Sequence, residues 1–322
     1  MTMSKPLLAA AAALSIQSTL AIPHRVLDTN FPDPSLIKTH DGFYSFATSG
    51  NGVNAQIAFS SDFTTWELQK GKDALPGPFP EWVAEKPSIW APDVAELDDG
   101  SFVMYFSATA KGNSSKHCVG TATARSVTGP YTPNDKPLAC PIEKGGAIDP
   151  AGFNDGGKRY VVYKVDGNSL NKKGSTHPTP LMLQPVKSDG VTPDGEAIQL
   201  LDRDSNDGPL IEAPSLAKGK DGTYYLSFSS NMYNTKKYDV SYATAKNIKG
   251  PWTKASDPNA PLLKSGDSAE DGKLAGPGGS SFVEGGKGKI LFHAFRNGED
   301  MKQGRAVWAA DIVLDGGKIR IS

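Results

Sequence analysis

The chain has 322 residues, with 34 Lys and Arg against 35 Asp and Glu, a formal net charge of −1 and 38% hydrophobic residues. That balance supplies neither the basic field nucleic acid requires nor a polybasic face for an anionic membrane, so the expected partner is uncharged or small. The 34 glycines and 24 prolines are spread out as many tight turns demand, and no Pro/Ser-rich stretch marks a linker, so one large domain is expected.

Residues 1–21 place Lys5 ahead of an apolar run over 7–14, followed by small residues up to Ala21. The run is too short to span a bilayer and reads as a secretory signal peptide cut near Ala21, with a buried N-terminal helix as the alternative. The mature domain, 22–322, is then expected outside the cell. It opens with His24-Arg25-Val26-Leu27-Asp28, a segment suited to pair with 306–313 near the other end of the chain and so remove a free sheet edge.

From residue 31 one unit recurs. Phe31-Pro32-Asp33-Pro34-Ser35-Leu36 leads to Asp41-Gly42 and then Phe43-Tyr44-Ser45-Phe46. Units beginning at Asp93, Asp149, Glu212 and Gly276 run in the same way to Asp99-Gly100, Asp155-Gly156, Asp221-Gly222 and Gly285-Gly286, each followed by an apolar, aromatic or β-branched strand. The period is about 60 residues. Each copy reads as a hairpin whose turn needs positive φ, and a second amphipathic pair follows, such as 55–60 with 66–69 or 238–244 with 252–254. Four strands per unit and five units describe an all-β, five-bladed β-propeller. A β-sandwich of similar hairpins is the alternative, but it has no need of an acidic residue at one place in successive units.

Between the strands, 75–82 is too rich in proline for a strand, 165–180 is long and polar, and 202–209 is acidic. Together with 231–237 they are expected to shape a cup at one end. Cys118 and Cys140 are expected to form one disulfide on neighbouring edges, with two free thiols as the alternative. Asn113-Ser114-Ser115 is a glycosylation sequon in a stretch read as a polar loop.

In a propeller the innermost strands run along the axis, which brings Asp33, Asp93, Asp149 and Glu212 towards one channel. Carboxylates gathered there repel and desolvate one another, a cost that functional sites concentrate. Separated carboxyl groups around a cup suit glycoside hydrolysis, in which one group activates water and another protonates the leaving oxygen. Groups held on non-adjacent blades fit the wider spacing of an inverting pair, roughly 6.5–9.5 Å.

The motifs Phe31-Pro32-Asp33-Pro34-Ser35-Leu36, Trp90-Ala91-Pro92-Asp93-Val94, Ala147-Ile148-Asp149-Pro150 and Ile211-Glu212-Ala213-Pro214-Ser215, in that order, resemble glycoside hydrolase family 43 along the whole mature chain. The resemblance implies a five-bladed propeller enzyme that cleaves arabinose or xylose linkages in plant cell-wall poly- and oligosaccharides, with Asp33 as general base, Glu212 as general acid and Asp149 raising the pKa of the acid. It also implies sugar contacts from Trp90, Arg305 and Phe31, and leaves Asp93 a structural carboxylate. No obligatory cofactor is implied. Many members have a histidine after Gly-Pro-Gly, associated with a channel metal, whereas Gly279 follows Gly276-Pro277-Gly278 here, which counts against a structural calcium. His293 is the nearest substitute, or a hydrogen-bonded core histidine.

Arabinose linkages are favoured, because nothing follows Ser322 and the family's β-xylosidases often carry a further β-sandwich domain. The expected protein is a secreted, monomeric α-L-arabinofuranosidase or arabinanase. A β-xylosidase, a carbohydrate-binding propeller without turnover, and a retaining fructan-acting enzyme are the alternatives.

Overall fold

A computed structural model describes residues 22–173, 175–283 and 288–322. The proposed signal peptide, 1–21, and the Gly285-Gly286 turn lie outside the described residues. Among the described residues, five of the six sheets are the radial blades of a β-propeller, and the sixth is the short pair Ser268–Ala269 and Gly272–Lys273. Blade I comprises Ile37–Lys38, Phe43–Ala47, Gln56–Ser60 and Glu67–Leu68; blade II Trp90–Glu96, Phe102–Ala110, Asn113–Ala124 and Thr132–Pro133. Blade III comprises Ala147–Asp155, Lys158–Val165, Leu181–Val186 and Ile198–Leu201; blade IV Ile211–Lys218, Tyr224–Ser230, Ser241–Ala245 and Thr253–Lys254. Blade V takes Gly278–Val283, Gly288–Phe295 and Arg305–Asp315 from the end of the chain and His24–Leu27 from its beginning. His24 pairs with Ala309 and Leu27 with Val307, which closes the ring as the sequence pattern predicts. A last strand, Lys318–Ile321, pairs with the far part of Arg305–Asp315.

The hydrophobic core is divided among the seams between blades. Phe46 and Ile57 meet Met104 and Phe106 between blades I and II, and Val103 and Tyr105 meet Val161 and Val186 between II and III. Leu183 meets Leu226 and Phe228 between III and IV, and Tyr225 and Tyr242 meet Phe292 and Trp308 between IV and V. Phe31, Phe43 and Trp66 meet Leu291 and Ala309 at the closing seam. Each blade therefore buries both faces, which explains why second strands such as Phe102–Ala110 are buried throughout rather than at alternate residues. Gly100, Gly156 and Gly222 adopt the positive φ expected of the hairpin turns.

The structure corrects the register of the repeat. The equivalent residues are Asp33, Ala91, Asp149, Ala213 and Gly279, each left-handed with φ between 41° and 58° and four of them followed by proline. In blades II to V this residue lies within a bulge that shifts the pairing of the innermost strand. Asp33 and Asp149 thus occupy the shared position, Glu212 lies one residue before it and Asp93 two residues after it. The acidic residues do not mark one repeated place; the residue before the proline does.

Asn113 is not in a loop. It is the first residue of Asn113–Ala124 and pairs with Ala110 across the Lys111-Gly112 turn, because the nine-residue strand Phe102–Ala110 carries its hairpin that far. Cys118 and Cys140 are joined in a disulfide, with Cα atoms 4.5 Å apart, fastening the third strand of blade II to the segment that leads into blade III. Asp93 lines the narrow axial channel, where its Oδ2 accepts the Gly152 N–H at 2.8 Å. Burial pushes its carboxyl up to about 7, against the pull of that hydrogen bond.

Two predictions concern the frame. Deleting residues 22–28 leaves Arg305–Asp315 with an open edge and should lower the unfolding free energy by ~2 kcal/mol or more in urea titrations; an unchanged midpoint would show that ring closure is dispensable. Asp93 in the folded chain keeps a proton that the unfolded chain releases near pH 4, so its contribution falls as pH rises to about 7 and is level above that. Asp93→Asn, which keeps an acceptor for Gly152, should match the parent near pH 4 and exceed it by roughly 2–4 kcal/mol at pH 8. Parallel stability curves for the two proteins would contradict this.

Candidate active site

A cavity of about 300 Å³ opens above the channel, where the innermost strands begin, and Asp33, Trp90, Asp149, Glu212, Tyr238 and Arg305 line it. The expected carboxyl groups of blades I, III and IV are therefore brought together, while Asp93 lies lower, in the channel wall. Phe31 does not reach the cavity. It is wholly buried in the closing seam, since the left-handed turn at Asp33 sends the preceding segment into the core.

Asp33 is held by three neighbours. Its Oδ1 accepts from Arg305 Nη1 at 3.0 Å, its Oδ2 accepts from Thr48 Oγ1 at 2.7 Å, and its backbone N–H donates to His293 Nδ1 at 3.0 Å. Burial works to raise the Asp33 carboxyl, but the Arg305 guanidinium and the Thr48 hydroxyl overcome it and keep the group below the usual carboxylate range. Burial, aided by Arg305, pushes His293 down to about 3, so the imidazole is neutral at physiological pH. His293 is buried and hydrogen-bonded, the core histidine of the two readings, and it supports Asp33 from behind.

Asp149 has the opposite character. Its Oδ2 accepts the Ala213 N–H at 2.9 Å, yet burial first and the Glu212 carboxyl second hold it well above the usual carboxylate range, against the pull of Lys164. Glu212 Oε1 accepts from the Tyr238 hydroxyl at 2.9 Å and Oε2 from Lys164 Nζ at 2.9 Å. Tyr238 reaches this position because Gly278 lies opposite it: a Cβ there would stand 2.0 Å from the tyrosine ring. The cavity thus combines a carboxylate that stays ionised with one that resists ionisation, the arrangement acid–base chemistry requires.

The walls differ in kind. Trp90 stacks on His117 with ring centroids 3.6 Å apart, so the indole is fixed from behind and offers its other face to the cavity. Opposite, the partly exposed Tyr233 lies over the Arg305 guanidinium at 5.0 Å. Asn168, from the 165–180 segment, also lines the cavity, and its Oδ1 is buried without a hydrogen-bond partner. Its turn is held closely, since a Cβ on Gly167 would meet the Pro178 carbonyl at 1.9 Å. Segments 165–180 and 231–237 shape the cup as expected, whereas none of 75–82 lines it; Trp82 packs instead against Phe106.

Sequence reasoning missed Thr48, Lys164, Asn168 and Tyr238. Lys164 left a signal, being the cation inside the apolar run Tyr160-Val161-Val162-Tyr163-Lys164-Val165. Among the described residues no three His, Cys, Asp or Glu side chains converge as metal ligands. At Gly279, His293 fills the space a larger side chain would need, with its ring 2.6 Å from a built Cβ.

The sequence model described as glycosyl hydrolases family 43 matches residues 22–318. The chain is 27% identical over 246 residues to an extracellular endo-α-(1→5)-L-arabinanase of Thermotoga petrophila, covering 68% of this chain and 50% of that protein. It thus spans about half the length of that relative. It is 26% identical to a probable arabinan endo-1,5-α-L-arabinosidase C of Aspergillus flavus, over 83% of each protein. A crystal structure of a thermostable family-43 glycoside hydrolase superimposes with a TM-score of 0.79 at 24% identity, covering 94% of this chain and 96% of that one. Residues 22–318 account for nearly the whole described propeller, and the chain belongs to glycosyl hydrolases family 43.

Proposed function

We propose that this chain is a secreted, inverting glycoside hydrolase that cleaves α-1,5-linked L-arabinan at internal bonds. The observation that carries the reading is the contrast within one cavity between Asp33, held ionised by Arg305, and Asp149, which burial and the neighbouring Glu212 carboxyl hold well above the usual carboxylate range. Arabinan is favoured over xylan because a bacterial and a fungal relative, one of them matched along most of its length, are both named for arabinan cleavage. The bacterial relative is also named extracellular, which supports secretion.

In this mechanism Asp33 takes a proton from water as that water attacks the anomeric carbon from one side of the sugar. Arg305 and Thr48 keep the Asp33 carboxylate ionised and aimed into the cavity. Glu212, on a blade not adjacent to that of Asp33, delivers a proton to the departing glycosidic oxygen. Asp149 stands beside it as a neighbouring carboxyl that disfavours a second negative charge. Attack and departure on opposite faces invert the anomeric centre. Trp90 supplies an apolar face to the sugar ring, and the unpartnered Asn168 oxygen accepts from a sugar hydroxyl.

Proton NMR during digestion of linear arabinan should show the newly formed reducing end with inverted configuration, and the early products should be a ladder of oligosaccharides. Retained configuration would exclude this mechanism, and release of xylose from xylan in place of arabinan products would reassign the substrate. Glu212→Gln should lower kcat on arabinan by about 10²–10⁴, the usual contribution of a general acid, and by much less on an aryl arabinofuranoside whose leaving group needs no proton. Arg305→Met removes the charge that depresses Asp33, so the acidic limb of the kcat/KM profile should move to higher pH by about one unit. A limb that stays in place would separate Asp33 from the role of base.

A further inference from the structure

The five blades share a hydrogen-bonding rule, and one of them meets it with an acceptor from the innermost strand of the preceding blade instead of from the end of its second strand. The left-handed residue of each innermost strand sends its N–H to an acceptor on the preceding blade. Ala91 N–H donates to Thr48 Oγ1, Asp149 N–H to Ser107 Oγ, Gly279 N–H to Ser229 Oγ and Asp33 N–H to His293 Nδ1. Ser107, Ser229 and His293 pair with Trp90, Glu212 and Gly278, the residues just before the left-handed position, and the Thr48 N–H likewise bonds the Pro32 carbonyl. In blade III the corresponding partner of Ile148 is Lys164. An ammonium has no lone pair to offer. The Ala213 N–H is taken by Asp149 Oδ2 instead, and the Lys164 side chain, wholly buried, turns to Glu212 Oε2 at 2.9 Å and Asp166 Oδ1 at 3.0 Å.

A structural role alone needs only another serine or threonine at this place, as three other blades have. A fully buried ammonium is costly unless it is paired, and its pairing here is directed at the cavity. We propose that Lys164 is a positioning residue, the resident counter-charge that orients the Glu212 carboxyl towards the cavity and favours its anionic form, the form left once its proton has been delivered. The displaced acceptor role draws Asp149 onto the Ala213 N–H, the peptide group directly after Glu212, so the same exception also brings the two carboxyl-bearing residues together. This inference rests on the proposed roles of Glu212 and Asp149.

The charged and titratable groups around Lys164 come from four blades. Asp149 and Asp166 belong to blade III and the turn after it, Glu212 and Tyr238 to blade IV and the segment following its second strand, and His117 of blade II lies behind Asp166. Asp33 of blade I acts on Asp149 through charge. Burial works to lower the Lys164 ammonium, but Glu212, Asp166 and Asp149 outweigh it and hold it above the usual lysine range, so Lys164 stays charged while the carboxyl groups titrate.

The test is a ¹³C NMR titration of the whole protein with carboxyl-labelled Glu and Asp, alongside the pH profile of kcat/KM on arabinan. Lys164→Met should move the Glu212 titration, and with it the alkaline limb of the profile, upward by about one pH unit or more. Lys164→Arg, which restores the charge, should return it towards the parent value, and Asp166→Asn, which removes a competing anion, should move it downward. A Glu212 titration unchanged in a folded Lys164→Met protein overturns the proposal. Should that variant fail to fold, a Glu212 titration unchanged in Asp166→Asn overturns it equally. A parent protein that hydrolyses neither arabinan nor xylan removes the functional reading, while the titration still decides what Lys164 does.

Discussion

One inter-blade hydrogen bond sets the geometry of this protein. At the start of each innermost strand the chain enters the left-handed region for one residue, and the N–H exposed by that turn is caught by a side chain of the blade before it. Left-handed backbone is unfavourable for residues other than glycine, and a buried N–H without an acceptor adds a further penalty. The conformation persists because the acceptor is already in place, and proline follows in four of the five blades. The turn fixes both where a blade begins and how it is rotated against its neighbour.

The carboxyl groups exploit that turn. Asp33 and Asp149 are themselves left-handed residues, so their side chains leave the strand where the channel widens into the cavity. Glu212 leaves one residue earlier, beside the N–H of Ala213 that binds Asp149. Three acidic residues can be crowded into one small space because each has its own compensation: Arg305 and Thr48 for Asp33, Lys164 and Tyr238 for Glu212, and a retained proton for Asp149. The seams behind them carry the apolar burial that makes so polar a centre tolerable.

Much of this was legible in the sequence. Hairpin turns with Asp-Gly, aromatic second strands and a period near 60 residues lead to five blades without knowledge of any relative, and the pairing of His24 with Ala309 follows from the same pattern. The register was misread because acidic residues are conspicuous: aligning Asp33, Asp93, Asp149 and Glu212 overlooks that the dipeptides Asp33-Pro34, Ala91-Pro92, Asp149-Pro150 and Ala213-Pro214 mark the backbone event, whatever side chain precedes the proline. Phe31 looked like a sugar contact because it neighbours Asp33 in sequence, although the reversal at Asp33 sends the two side chains to different places. Tyr238 and Lys164 were harder to find, since their importance depends on a glycine at 278 and on a pairing register that only the assembled ring defines.

The ring closes through residues at opposite ends of the chain, and that has a consequence for how the molecule comes into being. His24 cannot find Ala309 until nearly the entire polypeptide exists, so during synthesis the first strand has no partner while blades I to IV acquire theirs in sequence. Contacts this distant along the chain form late and slowly. Until then the closing seam, with Phe43, Trp66 and Leu291, stays open to solvent. Folding of this protein is therefore governed at its last step by a meeting of termini, and the half-made ring is the species most exposed to association with other chains.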